Sequence, residues 1–529
     1  MPDPSPHRLP DDCVPTHYEL FLAPDLAAGR FTGEETVRLV VRRPTREVVL
    51  NAVELAIPEA RLQRGDEAPL PAAVRLDEAA ERAVLQLPAT LQPGEWRLRL
   101  RFAGSLNDKL RGFYRSRAGA PGDAAADVLA VSQFEATEAR RAFPCWDEPA
   151  LKAVFQVSLA VAEGLAAIAN TAPVAETPLA GGRRRVTFAP SIPMSTYLVA
   201  FVVGRLAATP PVMVGATPLR VWCVPGKERL AAFALEVAAF ALRFFEDYYG
   251  IPYPGDKLDL IAIPDFAFGA MENLGAITFR ETALLVDEAA ATHAERTRVA
   301  DVVAHELAHM WFGDLVTMAW WNGLWLNEAF ATFMEVMAVD AWRPAWARWT
   351  AFGVSRGAAL AVDGLAASRP VEYEVRAPRD ADAMFDVLTY EKGGAVLRML
   401  EQHLGPALFR EGVRRYLTEH RFGNADTVDL WRALGAASGQ PIPAMMDGWI
   451  FRPGYPVVSV APVAEGRSLR LQQTRFRYLP DGSDGETWQI PLTIRAEVAG
   501  APVELSHLLT GPEEELALPG PADHVVVNA

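Results

Sequence analysis

The sequence has 529 residues, a formal net charge of −15, 50% hydrophobic residues and 22% charged ones. At roughly 100–200 residues per domain, this length calls for several domains, and the apolar content, with 25 Phe and 13 Trp, excludes a mainly disordered chain. With 51 Lys and Arg against 66 Asp and Glu and no basic run, phosphate-backbone binding has no electrostatic support, so no nucleic-acid partner is expected.

Cys13, Cys145 and Cys223 are too few and too far apart for a disulfide framework or a cysteine zinc site, which points to reduced thiols. The first residues, Met1 to Cys13, lack a basic stretch followed by an apolar one, so a secretory leader is not expected. The most apolar stretch, Leu230 to Phe245, is broken by Glu236 and Arg243, short of the run of about 18 residues that a membrane span requires. A cytoplasmic protein without a membrane partner follows.

From residue 15 to 205 apolar side chains recur at every second position, as in Trp96-Arg-Leu-Arg-Leu-Arg-Phe102. Strands are also predicted at Glu47–Leu50, Phe155–Leu159 and Tyr197–Val203, with Pro/Gly-rich turns between them. The Ala-Ala-Thr-Pro-Pro stretch at 207–211 reads as a connector. Beyond 225 the period becomes helical, at Leu230–Tyr249, Glu295–Phe312 and Glu328–Ala341. After the breaker Arg452-Pro-Gly-Tyr-Pro456, alternation returns at Ser468–Leu471 and Ile490–Ile494, with a turn predicted at Asp481–Gly485 between them. The expected organisation is a β-rich domain at 1–205, a mainly helical domain at 206–450 and a small β-sandwich at 451–529, a multidomain α+β chain without solenoid repeats.

Within the helical part lies His305-Glu306-Leu307-Ala308-His309. Two imidazoles four residues apart share one helical face and can grip one ion. Val299, Val303, Leu307 and Met310 form a separate apolar stripe that lets the helix bury its other side. A catalytic zinc site needs a third ligand and an open position. Glu328, 19 residues beyond His309 at the predicted start of the next helix, is the candidate, the alternative being a helix-start charge. Glu306 is the natural general base, since it adjoins the ligands without being needed as one. Glu335 reads either as an exposed helix carboxylate or as a group that orients a ligand. A zinc ion so held lowers the pKa of its water from about 15.7 to about 7, which suits amide or ester hydrolysis.

The chain resembles the aminopeptidase N family of gluzincin zinc metallopeptidases over essentially its whole length. The resemblance rests on Gly269-Ala-Met-Glu-Asn273, the HExxH with its downstream glutamate, Trp311-Phe-Gly-Asp-Leu-Val-Thr317, Thr389-Tyr-Glu-Lys-Gly393, and Gln133-Phe-Glu135 followed by Ala139-Arg-Arg-Ala-Phe-Pro-Cys-Trp-Asp-Glu-Pro149. It implies an N-terminal saddle, a thermolysin-like catalytic domain and one Zn2+ held by His305, His309 and Glu328.

Peptides with a free N-terminus would be the substrates. Residues 269–273 would form an edge strand on which a peptide adds by backbone hydrogen bonding, Gly269 and Ala270 allowing close approach. Glu272 and Glu135 would hold the α-amino group. Tyr390 would donate to the developing oxyanion, while Gln133 and Met271 would receive the first side chain. Glu306 would take a proton from the zinc-bound water and return it to the leaving amine.

Ala329 stands where the family commonly has glycine, and Gly323 where it commonly has aspartate. Most relatives continue into a large C-terminal helical domain that covers the cleft, so this resemblance implies a short form with a more open site or a cover supplied by another subunit. Lipid-epoxide hydrolysis, as in the branch resembling leukotriene hydrolase, a non-catalytic binding module and a thermolysin-like endopeptidase are the alternatives. The full set of ligand and catalytic residues disfavours the second, and the two amino-anchoring glutamates the third.

Overall fold

Alternation in the first third of the chain becomes a broad twisted sheet. In the computed structural model, which describes residues 7–119, 127–479 and 485–528, Trp96, Leu98, Leu100 and Phe102 are buried while Arg99 and Arg101 face solvent. Their strand, Gly94–Ser105, lies in an eight-stranded sheet between Arg30–Val41 and Ala56–Gln63. Cys13–Asp25 joins this sheet to Val154–Ala162 by parallel pairing. A three-stranded sheet (Thr45–Asn51, Arg82–Leu91, Ala73–Asp77) and a four-stranded one complete the β-rich domain. The four-stranded sheet orders Ala166–Ala169, Phe201–Gly204, Asp127–Gln133 and Gly112–Ala118.

The strand predicted at Tyr197–Val203 is only partly formed. Thr196–Leu198 is a 3-10 turn and the strand is Phe201–Gly204. The side chain of Asn170 takes the backbone bonds that a ladder would have used, donating to Leu198 O (2.8 Å) and accepting from Ala200 N (2.9 Å). The 207–211 connector likewise starts with a short strand, Ala207–Ala208, on the edge of the next sheet.

That sheet runs Ala207–Ala208, Thr217–Cys223, Leu258–Ile263, Ala276–Arg280, Ala270–Met271. Leu258–Ile263 is buried along its whole length, as a strand covered on both faces must be. Helices α1 (Ala232–Tyr249) and α2 (His293–His309) pack against it, and α3 (Trp325–Trp342) packs in turn on α2. One hydrophobic core runs without a break from Tyr18 and Leu100 through Leu242 and Ile261 to Phe330 and Leu434. The N-terminal sheets and the helical domain are therefore packed as one body.

The C-terminal strands form two three-stranded sheets around a separate small core that includes Leu471, Trp488, Ile490 and Ile494. Of the turn predicted at Asp481–Gly485, positions 481–484 lie outside the described residues. Asp363, 1% exposed, seats this domain: it accepts from Gly454 N (2.8 Å) and pairs with Lys392 (2.7 Å).

Arg140 holds the N-terminal domain together from inside. It is 4% exposed, and its guanidinium reaches Asp147 (2.8 Å) and Glu81 (2.7 Å). Arg140→Ala strands the buried Asp147 carboxylate, so equilibrium denaturation should show a loss of about 3–5 kcal/mol. A change below about 1 kcal/mol, the value of a surface pair, would refute this role.

Candidate active site

α2 starts at a capping box: the Thr292 hydroxyl accepts from Glu295 N (3.2 Å) and the Glu295 carboxylate accepts from Thr292 N (2.8 Å). It then runs to His309 without Gly or Pro, burying Val299, Val303 and Leu307. α3 follows the 3-10 turn Trp321–Gly323 and carries Glu328 in its first turn. Packed side by side, the two helices aim three donors at one point.

His305 Nε2 lies 3.2 Å and His309 Nε2 3.4 Å from Glu328 Oε2. Tetrahedral ligands at about 2.0–2.1 Å from a zinc ion are about 3.3 Å apart, so this donor set fits such a cation. The outer nitrogens are held by fixed partners: His305 Nδ1 is 2.7 Å from Glu335 Oε2, and His309 Nδ1 is 2.9 Å from the Phe312 carbonyl. Both bonds orient the rings and leave Nε2 of each facing Glu328. Glu335, open between two readings in the sequence, is therefore a partner of His305.

The charges point the same way. Burial works to raise the Glu328 carboxyl, but His309 and the hydrogen bonds of both imidazoles hold it down at about 2. Burial opposes charge on His309, yet Glu272 and Glu328 lift it to about 9. Positive charge is drawn to the point where the donors converge.

Glu306 is buried among these groups with one oxygen lacking a hydrogen-bond partner. Burial raises its carboxyl to about 8, Glu272 and Glu328 adding to the effect and both imidazoles opposing it. Glu272 directly follows the edge strand Ala270–Met271, which pairs with Phe279 and Thr278. Glu135 follows the strand Asp127–Gln133. Carboxylate oxygens of Glu135, Glu272 and Glu328 lie within 4.8 Å of one another, and Oε1 of both Glu135 and Glu272 has no partner. Burial, and after it the neighbouring acids, hold the Glu135 carboxyl well above its usual range. Such a cluster suits a cationic ligand.

Gly275 lets the 269–273 segment sit this close to the N-terminal domain. Its φ is +71°, and a Cβ there would lie 2.1 Å from the Asn170 carbonyl oxygen.

Tyr390 stands on a π-helical turn, Leu388–Lys392, with its ring stacked on His305 at 6.0 Å between centroids. Arg369 braces the turn through Asp386 (2.5 Å) and Thr389 Oγ1 (2.9 Å), and Lys392 does so through Asp363. Gln133, Glu135, Gly269, Ala270, Met271, Glu272, His305, Glu306, His309, Glu328 and Tyr390 all line one cavity of about 320 Å³. Gln133 donates to the Met271 sulfur across its wall (3.4 Å).

Asp301, Phe385 and Glu391 line the same cavity and were not singled out from the sequence. Asp301 is gripped by Arg348 through Nε (3.0 Å) and Nη2 (2.5 Å). Its position one helical turn before His305 was the signal that would have found it.

Residues 14–198 match the family described as Peptidase M1 N-terminal domain, and residues 233–449 that described as Peptidase family M1 domain. The chain belongs to the peptidase M1 family. It is 45% identical over 492 residues to Aminopeptidase M1 of Arabidopsis thaliana, a match spanning 92% of this chain and 55% of that protein. Against Puromycin-sensitive aminopeptidase of Caenorhabditis elegans the identity is 40% over 531 residues, 99% of this chain and 56% of that protein. Alanine/arginine aminopeptidase of Saccharomyces cerevisiae is 38% identical over 480 residues, 90% of this chain and 55% of its own length. This M1 chain thus spans about half the length of these relatives. Among its described residues, no helix is long and apolar enough to cross a membrane.

Proposed function

We propose that this chain is a zinc-dependent aminopeptidase that removes single residues from the N-terminus of peptides. The reading rests on two carboxylates, the buried Glu272 and the half-buried Glu135, each with an unpartnered inaccessible oxygen, opening on the same cavity as His305, His309 and Glu328. The names of the relatives, all aminopeptidases, support the same reaction. Three free, buried cysteines suit a reducing, cytoplasmic setting.

Zinc held by His305, His309 and Glu328 would polarise the scissile carbonyl and lower the pKa of a water molecule from about 15.7 to about 7. Glu272 and Glu135 bind the α-ammonium of the substrate by charge-assisted hydrogen bonds, and so count the chain from its first residue. The peptide extends along the edge strand Ala270–Met271, where open space beside Gly269 admits its backbone. Gln133 and Met271 border the first side chain. With the ammonium fixed, the first carbonyl oxygen meets the Tyr390 hydroxyl, which donates to it as negative charge develops. Glu306 takes the proton of the attacking water and delivers it to the leaving amine.

A panel of fluorogenic aminoacyl substrates and their N-acetylated counterparts tests this reading. Free substrates should be turned over, blocked ones should not, and a chelator should abolish turnover that added zinc restores. Equal cleavage of free and blocked substrates would contradict the role of Glu272 and Glu135.

A further inference from the structure

Tyr197 belongs to the N-terminal domain, yet its hydroxyl stands between the two segments that carry the metal donors. It donates to the Gly313 carbonyl (3.2 Å) and accepts from Asn327 Nδ2 (3.2 Å). Gly313 lies in the loop just beyond α2, next to Phe312, whose carbonyl orients His309. Asn327 immediately precedes Glu328 in the first turn of α3.

The packing here leaves no slack. Gly313 has a φ of +134°, and a Cβ on it would lie 3.3 Å from His309 Nδ1 and 3.5 Å from Asn327 Nδ2, so its backbone is wedged between the ligand ring and the amide. The ring of Tyr197 packs edge-on against Trp321, in the turn that leads into α3, at 5.4 Å between centroids. Tyr197 and Asn327 are each 1% exposed, which bars water from replacing the hydroxyl freely. Without it, Asn327 Nδ2 would retain the Met318 sulfur at 3.0 Å, a weak acceptor.

We propose that Tyr197 is a positioning residue of the metal centre, its one hydroxyl setting the spacing between the loop that orients His309 and the helical turn that presents Glu328. The proposal rests on the reading of His305, His309 and Glu328 as a zinc site. Partners bonded directly to the ligands typically govern metal affinity by about 10–100-fold when removed, and Tyr197, which acts through the segments that carry those groups, is expected at the lower end of that range.

The test compares zinc dissociation constants, measured by competition with a chromophoric chelator, for the wild type, Tyr197→Phe and Tyr114→Phe. Tyr114 is the matched control: it too is buried in the N-terminal domain and donates across the domain boundary, to the Asp265 carbonyl (2.9 Å), but it bonds to neither ligand-bearing segment. Tyr197→Phe should weaken zinc binding by about 10-fold and displace the visible absorption bands of the cobalt-substituted protein. Tyr114→Phe should leave both within roughly twofold of wild type. Equal zinc affinity and an unchanged cobalt spectrum in Tyr197→Phe, or an equal loss in both variants, would overturn the proposal. If wild type itself takes up no zinc, the reading of the site fails instead. Should Tyr197→Phe not fold, Asn327→Ser removes the same link from the other side and should weaken zinc binding alike; wild-type affinity there would also overturn the proposal.

Discussion

Glu306→Gln is expected to lower kcat by about 10²–10⁴-fold while leaving zinc content at the wild-type level. The side chain keeps its size and its buried seat beside the donors, and loses only the capacity to accept and return a proton. Burial raises the Glu306 carboxyl, and the imidazoles and a cation held beside them would pull it back, which suits a group that must act as base towards water and as acid towards an amine. Neither His305 nor His309 can substitute, because each ring is committed on both sides, to Glu328 and to Glu335 or the Phe312 carbonyl. Steady-state kinetics beside metal analysis separate the outcomes. Undiminished turnover removes Glu306 from the proton-transfer role, while loss of zinc assigns it to holding the ion.

Tyr390→Phe should cost about 10²–10³-fold in kcat, with little change in KM. The hydroxyl is expected to act only when the carbonyl oxygen becomes negative, so the ground-state complex does not need it. The stacking on His305 and the bracing of the turn by Arg369, Asp386 and Lys392 survive the change, since the phenyl ring is retained. A rise in KM at constant kcat would instead mark Tyr390 as a substrate-binding group.

Much of this site could be read in the sequence because its parts follow local rules. The spacing of His305 and His309 needs only the helical period, whereas the position of Glu328 left a helix-start charge open, and the roles of Glu135, Glu272 and Tyr390 came from the family resemblance alone. Strand alternation in Trp96–Phe102 needs only the pleat. What could not be read is long-range. Asp363 meets Lys392 only through the packing of the helical domain and Gly454 only where the C-terminal part docks on it, and Arg369 meets Asp386 and Thr389 only once the Tyr390 turn has formed. That turn is π-helical, a geometry without a periodic signature in side-chain type. Tyr197 was expected inside a strand because its neighbours are β-formers, but Asn170 supplies partners that override the local preference. Glu335 was ambiguous for a simpler reason: a carboxylate on a helix surface looks the same in sequence whether water or an imidazole faces it.

The most direct test of the central claim, that His305, His309 and Glu328 hold one catalytic cation, is elemental analysis of purified active protein beside its Glu328→Ala variant. Wild type should carry about one zinc per chain and the variant far less, with activity falling in proportion. Fully active wild-type protein free of zinc and other transition metals, or a variant that retains both metal and rate, would contradict it.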